Sequence, residues 1–136
     1  MRPRPRSRTY EERWERAGAA HRATLDTLRN LQGNWRVERL SGLPPMPFVW
    51  KNIRGGRGKT YFLPPPLPER GLPFKIEQRA GHVALIYSPP LTFLIDELRL
   101  EADGSWLGRA TAAGLRYAWF RLLPVQSRTA NRKSLP

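Results

Sequence analysis

Hydrophobic positions repeat with two different periods along this chain, and the change occurs at Gly33. Before it, the apolar positions recur every three or four residues, as on one face of a helix. They are Trp14, Ala17, His21, Leu25, Leu28 and Leu31. After it, Trp35 and Val37 alternate with polar residues, which is the period of a strand. The pattern predicts one amphipathic helix over roughly 10–31, followed by β structure.

Local signals support both ends of that helix. Thr9 and Glu12 have the spacing of a capping box. In a capping box, each of the two side chains accepts a hydrogen bond from a backbone N–H that is otherwise free at the start of the helix. Gly33 is suited to the residue after a helix, where the backbone takes a left-handed conformation. We therefore expect the helix to end just before the first strand.

Eight segments after Gly33 are predicted to be strands, and most of them are joined by short turns. They are residues 34–38, 48–53, 59–63, 74–79, 82–87, 91–101, 106–112 and 115–123. An antiparallel meander of eight strands removes its exposed edges by closing on itself. The predicted fold class is mainly β: an eight-stranded antiparallel up-and-down barrel preceded by one N-terminal helix. The interior of such a barrel is filled by side chains or holds one small ligand.

Composition divides the chain into one domain with two tails. Residues 1–8 alternate arginine with proline and serine, so we expect a disordered basic tail there. The helix and barrel occupy residues 9–124, and residues 125–136 are expected to form a flexible C-terminal tail. The chain has no cysteine and no apolar run of the roughly 20 residues that a membrane helix needs. No secretory signal pattern follows Met1. We expect a cytoplasmic protein without a membrane span.

The Gly33-Asn34-Trp35 entry into the first strand resembles the signature of the lipocalin and calycin superfamily. The resemblance implies that Trp35 closes one end of the barrel and that an arginine from the last strand packs over its ring. Arg121 is the first candidate for this arginine, and Arg116 is the second. An arginine on an indole face is a favourable cation–π pair.

Residues 31–123 also resemble small bacterial lipocalin-like domains named for a Gly-x-Trp-x-Gly motif. The similar segments are 74–83, 94–99, 106–109 and 120–122. Val37 stands where that motif has its second glycine. The resemblance implies a fold and no agreed activity.

Asp96 is the acidic residue that we expect inside the barrel. Leu94, Leu98 and Leu100 share its parity on one strand and are more apolar than the alternate set, so this face is expected to point inward. A buried aspartate needs a partner. Two interpretations stay open: a structural pair with an interior arginine, or a carboxylate that binds a ligand or acts as a base.

The leading hypothesis is a lipocalin-like barrel that binds a small, largely apolar molecule. The helix would then lie across one end as a plug or lid. If Arg121 covers Trp35, alternation places two more aromatic residues of the last strand inside. The predicted ligand-binding residues are Trp35, Val37, Trp50, Tyr87, Asp96, Leu98, Tyr117, Trp119 and Arg121.

Two other function classes stay open. The net charge of +13, the arginine-rich tails and the 54–58 loop suit a nucleic-acid-binding protein, or weak polyanion contacts through the tails. A barrel cyclase or isomerase would use Asp96 as its acid or base. With only His21 and His82, and no cysteine, we expect no metal site and no cofactor. The sequence leaves the oligomeric state open.

Overall fold

A computed structural model describes residues 6–20, 25–42, 49–62 and 71–125 of the chain. Two helices precede the barrel: α1 spans Arg6–Ala20 and α2 spans Leu25–Asn30. The strands are β1 Gly33–Gly42, β2 Val49–Arg54, β3 Arg57–Phe62, β4 Leu72–Arg79, β5 His82–Tyr87, β6 Leu94–Leu100, β7 Trp106–Ala112 and β8 Leu115–Pro124.

The eight strands form one closed antiparallel barrel in sequence order. Each strand pairs with the next, and β8 returns to pair with β1, with Val37 opposite Leu122. The last pairing leaves no strand edge in the sheet open to solvent. The predicted fold class, a mainly β up-and-down barrel after an N-terminal helix, is confirmed.

Alternate residues of every strand except β3 fill the interior as one hydrophobic cluster. On β6, Leu98 and Leu100 are buried in this cluster, which confirms the predicted inward face of that strand. Large and small residues face each other on neighbouring strands. A Cβ on Gly108 would come within 2.3 Å of the Phe120 ring, so the ring occupies the space that a side chain would need. The interior is therefore packed over most of its length.

One end of the barrel is closed by the start of β1 and the residues before it. Leu31 is fully buried, and Trp35 belongs to the same cluster. The indole Nε1 of Trp35 donates a hydrogen bond to the Leu31 carbonyl at 2.7 Å. Leu28 of α2 packs against this cluster. Trp35 thus lies at the closed end, held by the backbone that enters the strand.

α1 packs against the outer surface of the barrel. Trp14 contacts Leu107 and Trp119, two residues that point outward from β7 and β8. The predicted helix over 10–31 is divided into α1 and α2, with residues 21–24 outside the described range. The expectation that the helix covers one end as a lid is wrong for α1, because its apolar face is buried against the side of the sheet.

Arg121 does not cover Trp35, and this prediction is wrong. Arg121 lies on the outer surface, where its Nε donates to the Glu38 carboxylate at 2.9 Å on the neighbouring strand β1. Arg116, the second candidate, is also outside and pairs with Glu11 of α1. Arg121 alternates with the inward residues Phe120 and Leu122, and an irregularity in the pairing of β8 with β7 places Arg116 on the outside as well.

The expected tails fall mostly outside the described residues. α1 begins at Arg6, three residues before the expected start of the domain, and the description of the C-terminal side ends at Val125. In the described part of the chain, no helix is long and apolar enough to cross a bilayer.

Candidate functional site

Four polar side chains meet inside the barrel, on β2, β3, β5 and β6. Lys51 lies between the buried residues Val49 and Ile53, so the alternation of β2 forces it inward. Its Nζ is 2.8 Å from Asp96 Oδ2, 2.8 Å from Thr60 Oγ1 and 2.9 Å from the Tyr87 hydroxyl. All three donors of the ammonium group are thus used, and we call these four residues the interior polar cluster.

Tyr87 connects the members of the interior polar cluster to each other. Its hydroxyl donates to Asp96 Oδ2 at 3.0 Å and lies 2.7 Å from Thr60 Oγ1. The predicted structural partner of Asp96 was an interior arginine; the observed partner is Lys51. Each buried polar group therefore has a hydrogen bond, as burial in an apolar interior requires.

The charges of the interior polar cluster stabilise one another. Burial lowers the pKa of Lys51, but the Asp96 carboxylate and the Tyr87 hydroxyl outweigh it, and the net pKa is raised. Burial and the negative charge of Asp96 raise the pKa of Tyr87 to about 12. At neutral pH the cluster holds an ammonium ion and neutral hydroxyls.

A cavity of about 70 Å³ lies beside the interior polar cluster. It lies away from the end that Trp35 closes, near the starts of β2, β4 and β6. Its apolar walls include Val37, Val49, Leu72, Leu94, Ala110 and Phe120. At about 30 Å³ per molecule in liquid water, a space of this size corresponds to only a few water molecules.

Arg39 brings a second cation to this cavity. It continues the inward parity of Trp35 and Val37 on β1, and it lines the cavity. Its Nε and Nη1 atoms are buried, and neither has a hydrogen-bond partner in the part of the chain that the structure describes. A buried donor without a partner is costly and rare, so these two N–H groups mark a position for an acceptor.

Tyr117 reaches the cavity because β8 is irregular. Its neighbours Arg116 and Ala118 pair with consecutive residues of β7, so Tyr117 is an extra residue in the ladder. It lines the cavity and is still 41% exposed, which places it at the mouth. Burial and the charge of Asp96 raise the pKa of Tyr117, so its hydroxyl is neutral at pH 7.

The predicted ligand-binding residues divide into an inner and an outer set. The inner set is Trp35, Val37, Tyr87, Asp96, Leu98 and Tyr117. Of these, only Val37, Tyr87, Asp96 and Tyr117 line the cavity. Whether they bind a ligand stays a prediction.

Trp50, Trp119 and Arg121 cannot line the interior, and their assignment as wall or anchor residues is wrong. Trp50 is 37% exposed because its neighbours on β2 point inward. Trp119 packs under α1 against Trp14. On β8 the inward residues are Ala118, Phe120 and Leu122, which is the opposite parity to that predicted.

Lys51, Thr60 and Arg39 are cavity residues that were not among the predicted site residues. Alternation alone carried a signal for two of them, since Lys51 shares parity with Val49 and Ile53, and Arg39 shares parity with Trp35 and Val37. A charged residue on an otherwise apolar strand face is the feature that could have revealed them.

A second charged cluster lies outside the barrel beneath α1. Glu97 contacts both His82, at 3.1 Å, and Arg109. Arg99 and Arg109 lie over the Trp14 ring, at 4.5 and 4.2 Å from its centroid. The contact with His82, followed by the hydrogen bond from Arg109, lowers the pKa of Glu97 to about 2. The contacts of Arg99 and Arg109 with Trp14 attach α1 to the sheet.

Within the described residues, no group of three or more histidine, cysteine, aspartate or glutamate side chains could hold a metal ion. Comparisons with protein-family models, curated proteins and solved structures found no match to this chain. The assignment below therefore depends on geometry and chemistry.

Proposed function

We propose that this barrel binds a small molecule through its open end, and that the ligand joins an apolar body to an anionic group such as a carboxylate. The observation that carries the proposal is Arg39, whose buried Nε and Nη1 have no partner among the described residues. Each is a charge-assisted donor, and an anionic oxygen is the acceptor that binds such a donor most strongly.

The charge of the cavity favours an anion. Asp96 neutralises Lys51 through their 2.8 Å contact, whereas Arg39 has no carboxylate partner among the described residues. The cavity-lining residues in the described ranges therefore carry a net charge of +1. An anion would complete the charge balance in a site that is shielded from water.

The cavity volume limits how much of the ligand is enclosed. Ligand sites for drug-sized molecules measure about 300–1,000 Å³, and this cavity measures about 70 Å³. We infer that the cavity takes the anionic head, while the apolar body contacts Leu72, Leu94 and Tyr117 toward the mouth. This refines the sequence-based hypothesis of a largely apolar ligand held in the barrel centre.

Matched pairs of probes test the proposal. Hexanoate and hexan-1-ol have the same carbon chain and differ in the charged head. We expect hexanoate to raise the melting temperature and to bind by calorimetry more tightly than the alcohol. Arg39→Gln should weaken hexanoate binding roughly ten- to hundredfold, since a charge-assisted hydrogen bond contributes about 1.5–3 kcal/mol.

Arg121→Gln is the matched control, because it removes an arginine from the outer surface of the same barrel. It should leave hexanoate binding unchanged. Absence of binding by a chain-length series of both probe classes, together with no small molecule in native mass spectra of the purified protein, would refute the proposal.

The resemblance to lipocalin-like domains supports the same proposal, since the observed barrel has their architecture. The cyclase or isomerase hypothesis gains no specific support, because Asp96 Oδ2 accepts hydrogen bonds from Lys51 and Tyr87. A cytoplasmic location also stays a prediction.

A further inference from the structure

The outer surface of β2, β3 and β4 combines cations with aromatic rings. Strand pairing places Trp50 beside Tyr61 and Arg54 beside Arg57. The next pairing places Arg57 beside Lys75. We call this surface the basic–aromatic face and define it by six residues: Trp50, Arg54, Arg57, Lys59, Tyr61 and Lys75.

The cations of this face form no ion pair with any residue that the structure describes. Arg54, Arg57, Lys59 and Lys75 are all exposed. None of the four has a carboxylate within ion-pair distance in the described part of the chain. The carboxylates on either side are already used, since Glu38 pairs with Arg121 and Glu77 pairs with Arg79. The face therefore presents four uncompensated positive charges.

A groove of about 770 Å³ runs along the same surface. The four cations and Tyr61 line it. Cations at a concave surface raise the local concentration of anions more than cations on a flat surface do. The groove thus offers a path along which an extended anionic chain contacts several cations at once.

An exposed ring, Trp50, and a half-buried ring, Tyr61, lie beside the cations and distinguish this face from a simple positive patch. Trp50 is 37% exposed although it lies on a regular strand, and Tyr61 is opposite it on β3. Cross-strand neighbours have Cβ atoms about 4.5–5.5 Å apart, so both rings belong to one surface. Nucleic-acid bases stack on such rings in proteins that bind single strands without sequence preference.

We propose that the basic–aromatic face binds single-stranded nucleic acid, with phosphates on the four cations and bases stacked on Trp50 and Tyr61. The site lies on the outside of the barrel and uses neither Arg39 nor the Lys51–Asp96 pair, although Tyr87 of the interior polar cluster lines part of the groove. It is therefore distinct from the small-molecule site proposed above. Duplex DNA hides the flat faces of its bases and should bind less tightly than a single strand.

Fluorescence anisotropy with a labelled oligothymidine of about 12 nucleotides tests this surface, because comparable single-strand sites span 4–16 nucleotides. The full chain should bind at low salt, with affinity falling steeply as salt rises. Replacing Arg57, Lys59 and Lys75 together by glutamine should reduce the slope of log affinity against log salt by about 2, since each phosphate contact contributes about 0.7.

The matched control is the triple variant Arg2→Gln, Arg4→Gln, Arg6→Gln, which removes the same charge from the N-terminal end of the sequence. It should bind with a salt slope closer to that of the parent chain. An equal loss in both triple variants would show that binding follows net charge, and it would overturn the assignment to this face.

Trp50 tests the stacking part of the proposal separately. Trp50→Ala should weaken oligothymidine binding about ten- to hundredfold, whereas Trp50→Phe should retain most of it, because base stacking needs an aromatic ring. Inorganic polyphosphate offers phosphates without bases. If polyphosphate binds as tightly as the oligonucleotide, and Trp50→Ala has no effect on either, the surface is a general anion patch and the proposal fails.

Discussion

Lys51 and Asp96 form an ion pair that is almost fully removed from water. Their side chains are 2% and 11% exposed, and the hydroxyls of Thr60 and Tyr87 complete the hydrogen bonding of the ammonium group. Such a pair contributes little net stability compared with apolar residues of similar shape, but loss of one partner leaves an unpaired buried charge. These hydrogen bonds link β2, β3, β5 and β6 to one another beside the cavity.

Lys51→Met should lower the free energy of unfolding by roughly 3–5 kcal/mol, because it strands the Asp96 carboxylate in the interior. The double variant Lys51→Met, Asp96→Leu should recover part of that loss. Urea unfolding followed by circular dichroism measures both, and Lys59→Met on the exposed side of β3 serves as the control. Additive losses in the double variant would contradict the pairing described here.

Gly108 shows how closely the interior is packed. Gly108→Ala would bring its Cβ within 2.3 Å of the buried Phe120 ring, and overpacking of this kind costs roughly 1–3 kcal/mol. Gly56→Ala is the matched control, because a Cβ there meets no atom within 4 Å. Thermal unfolding should separate the two variants. Equal melting temperatures would indicate that the ring can move aside.

At the scale of the elements, α1 is attached to the barrel through Trp14. The indole is 2% exposed and contacts Leu107 and Trp119. Arg99 lies over the ring and donates from Nη1 to the Trp14 carbonyl at 2.9 Å. Arg13 of α1 adds a hydrogen-bonded ion pair to Glu101. Apolar burial and cation–π contacts thus combine on one helix face.

The free energy of unfolding should depend on pH in the acid range because of Glu97. The pKa of Glu97 is lowered from 4.5 to about 2 in the folded protein by His82 and Arg109. Its contribution is therefore complete above about pH 4.5 and is lost as the pH falls toward 2, because the unfolded chain takes up the proton first. Glu97→Gln should flatten the pH dependence of unfolding in this window.

Glu77→Gln provides the comparison for Glu97, since Glu77 is an exposed carboxylate paired with Arg79. Melting temperatures measured from pH 2 to pH 7 should keep their acid-side slope in this control. At neutral pH, Glu97→Gln should also cost on the order of 1–3 kcal/mol through the lost charge-assisted hydrogen bonds. If Glu97→Gln leaves the acid-side slope unchanged, Glu97 is not the cause of the pH dependence of stability.

At the scale of the whole molecule, the barrel is a single cooperative structure. Its interior forms one continuous cluster that includes residues from every strand except β3, and β8 closes the ring by pairing with β1. Loss of any one strand opens two new edges and exposes the shared interior. Local opening that leaves the rest of the barrel intact is therefore unfavourable.

We expect the described domain to unfold in one transition, with α1 included through Trp14. Near-ultraviolet circular dichroism reports the packed aromatic rings, and far-ultraviolet circular dichroism reports the backbone. The two denaturation curves should coincide, as two-state unfolding requires. An early near-ultraviolet change in the parent chain, absent from a variant with Trp14→Ala, would indicate that α1 detaches before the barrel unfolds.

The sequence by itself determined the strand count, the barrel and the inward position of Asp96. These follow from local alternation, because a strand places successive side chains on opposite faces wherever it lies. The same alternation places the charged residues Lys51 and Arg39 on the inward faces of their strands. The sequence did not indicate which cation would pair with Asp96, since β2 and β6 face each other across the interior only after the barrel closes.

Tertiary structure alone decided which face of β8 is inside. Both faces of this strand are apolar in sequence, because Phe120 fills the interior while Trp119 is covered from outside by Trp14 of α1. Periodicity reports that a face is buried and does not report what buries it. The position of Tyr117 depended in addition on an irregularity in the pairing with β7. The cavity, its uncompensated cation and the outer basic–aromatic face emerge from strand register, which short-range sequence patterns do not specify.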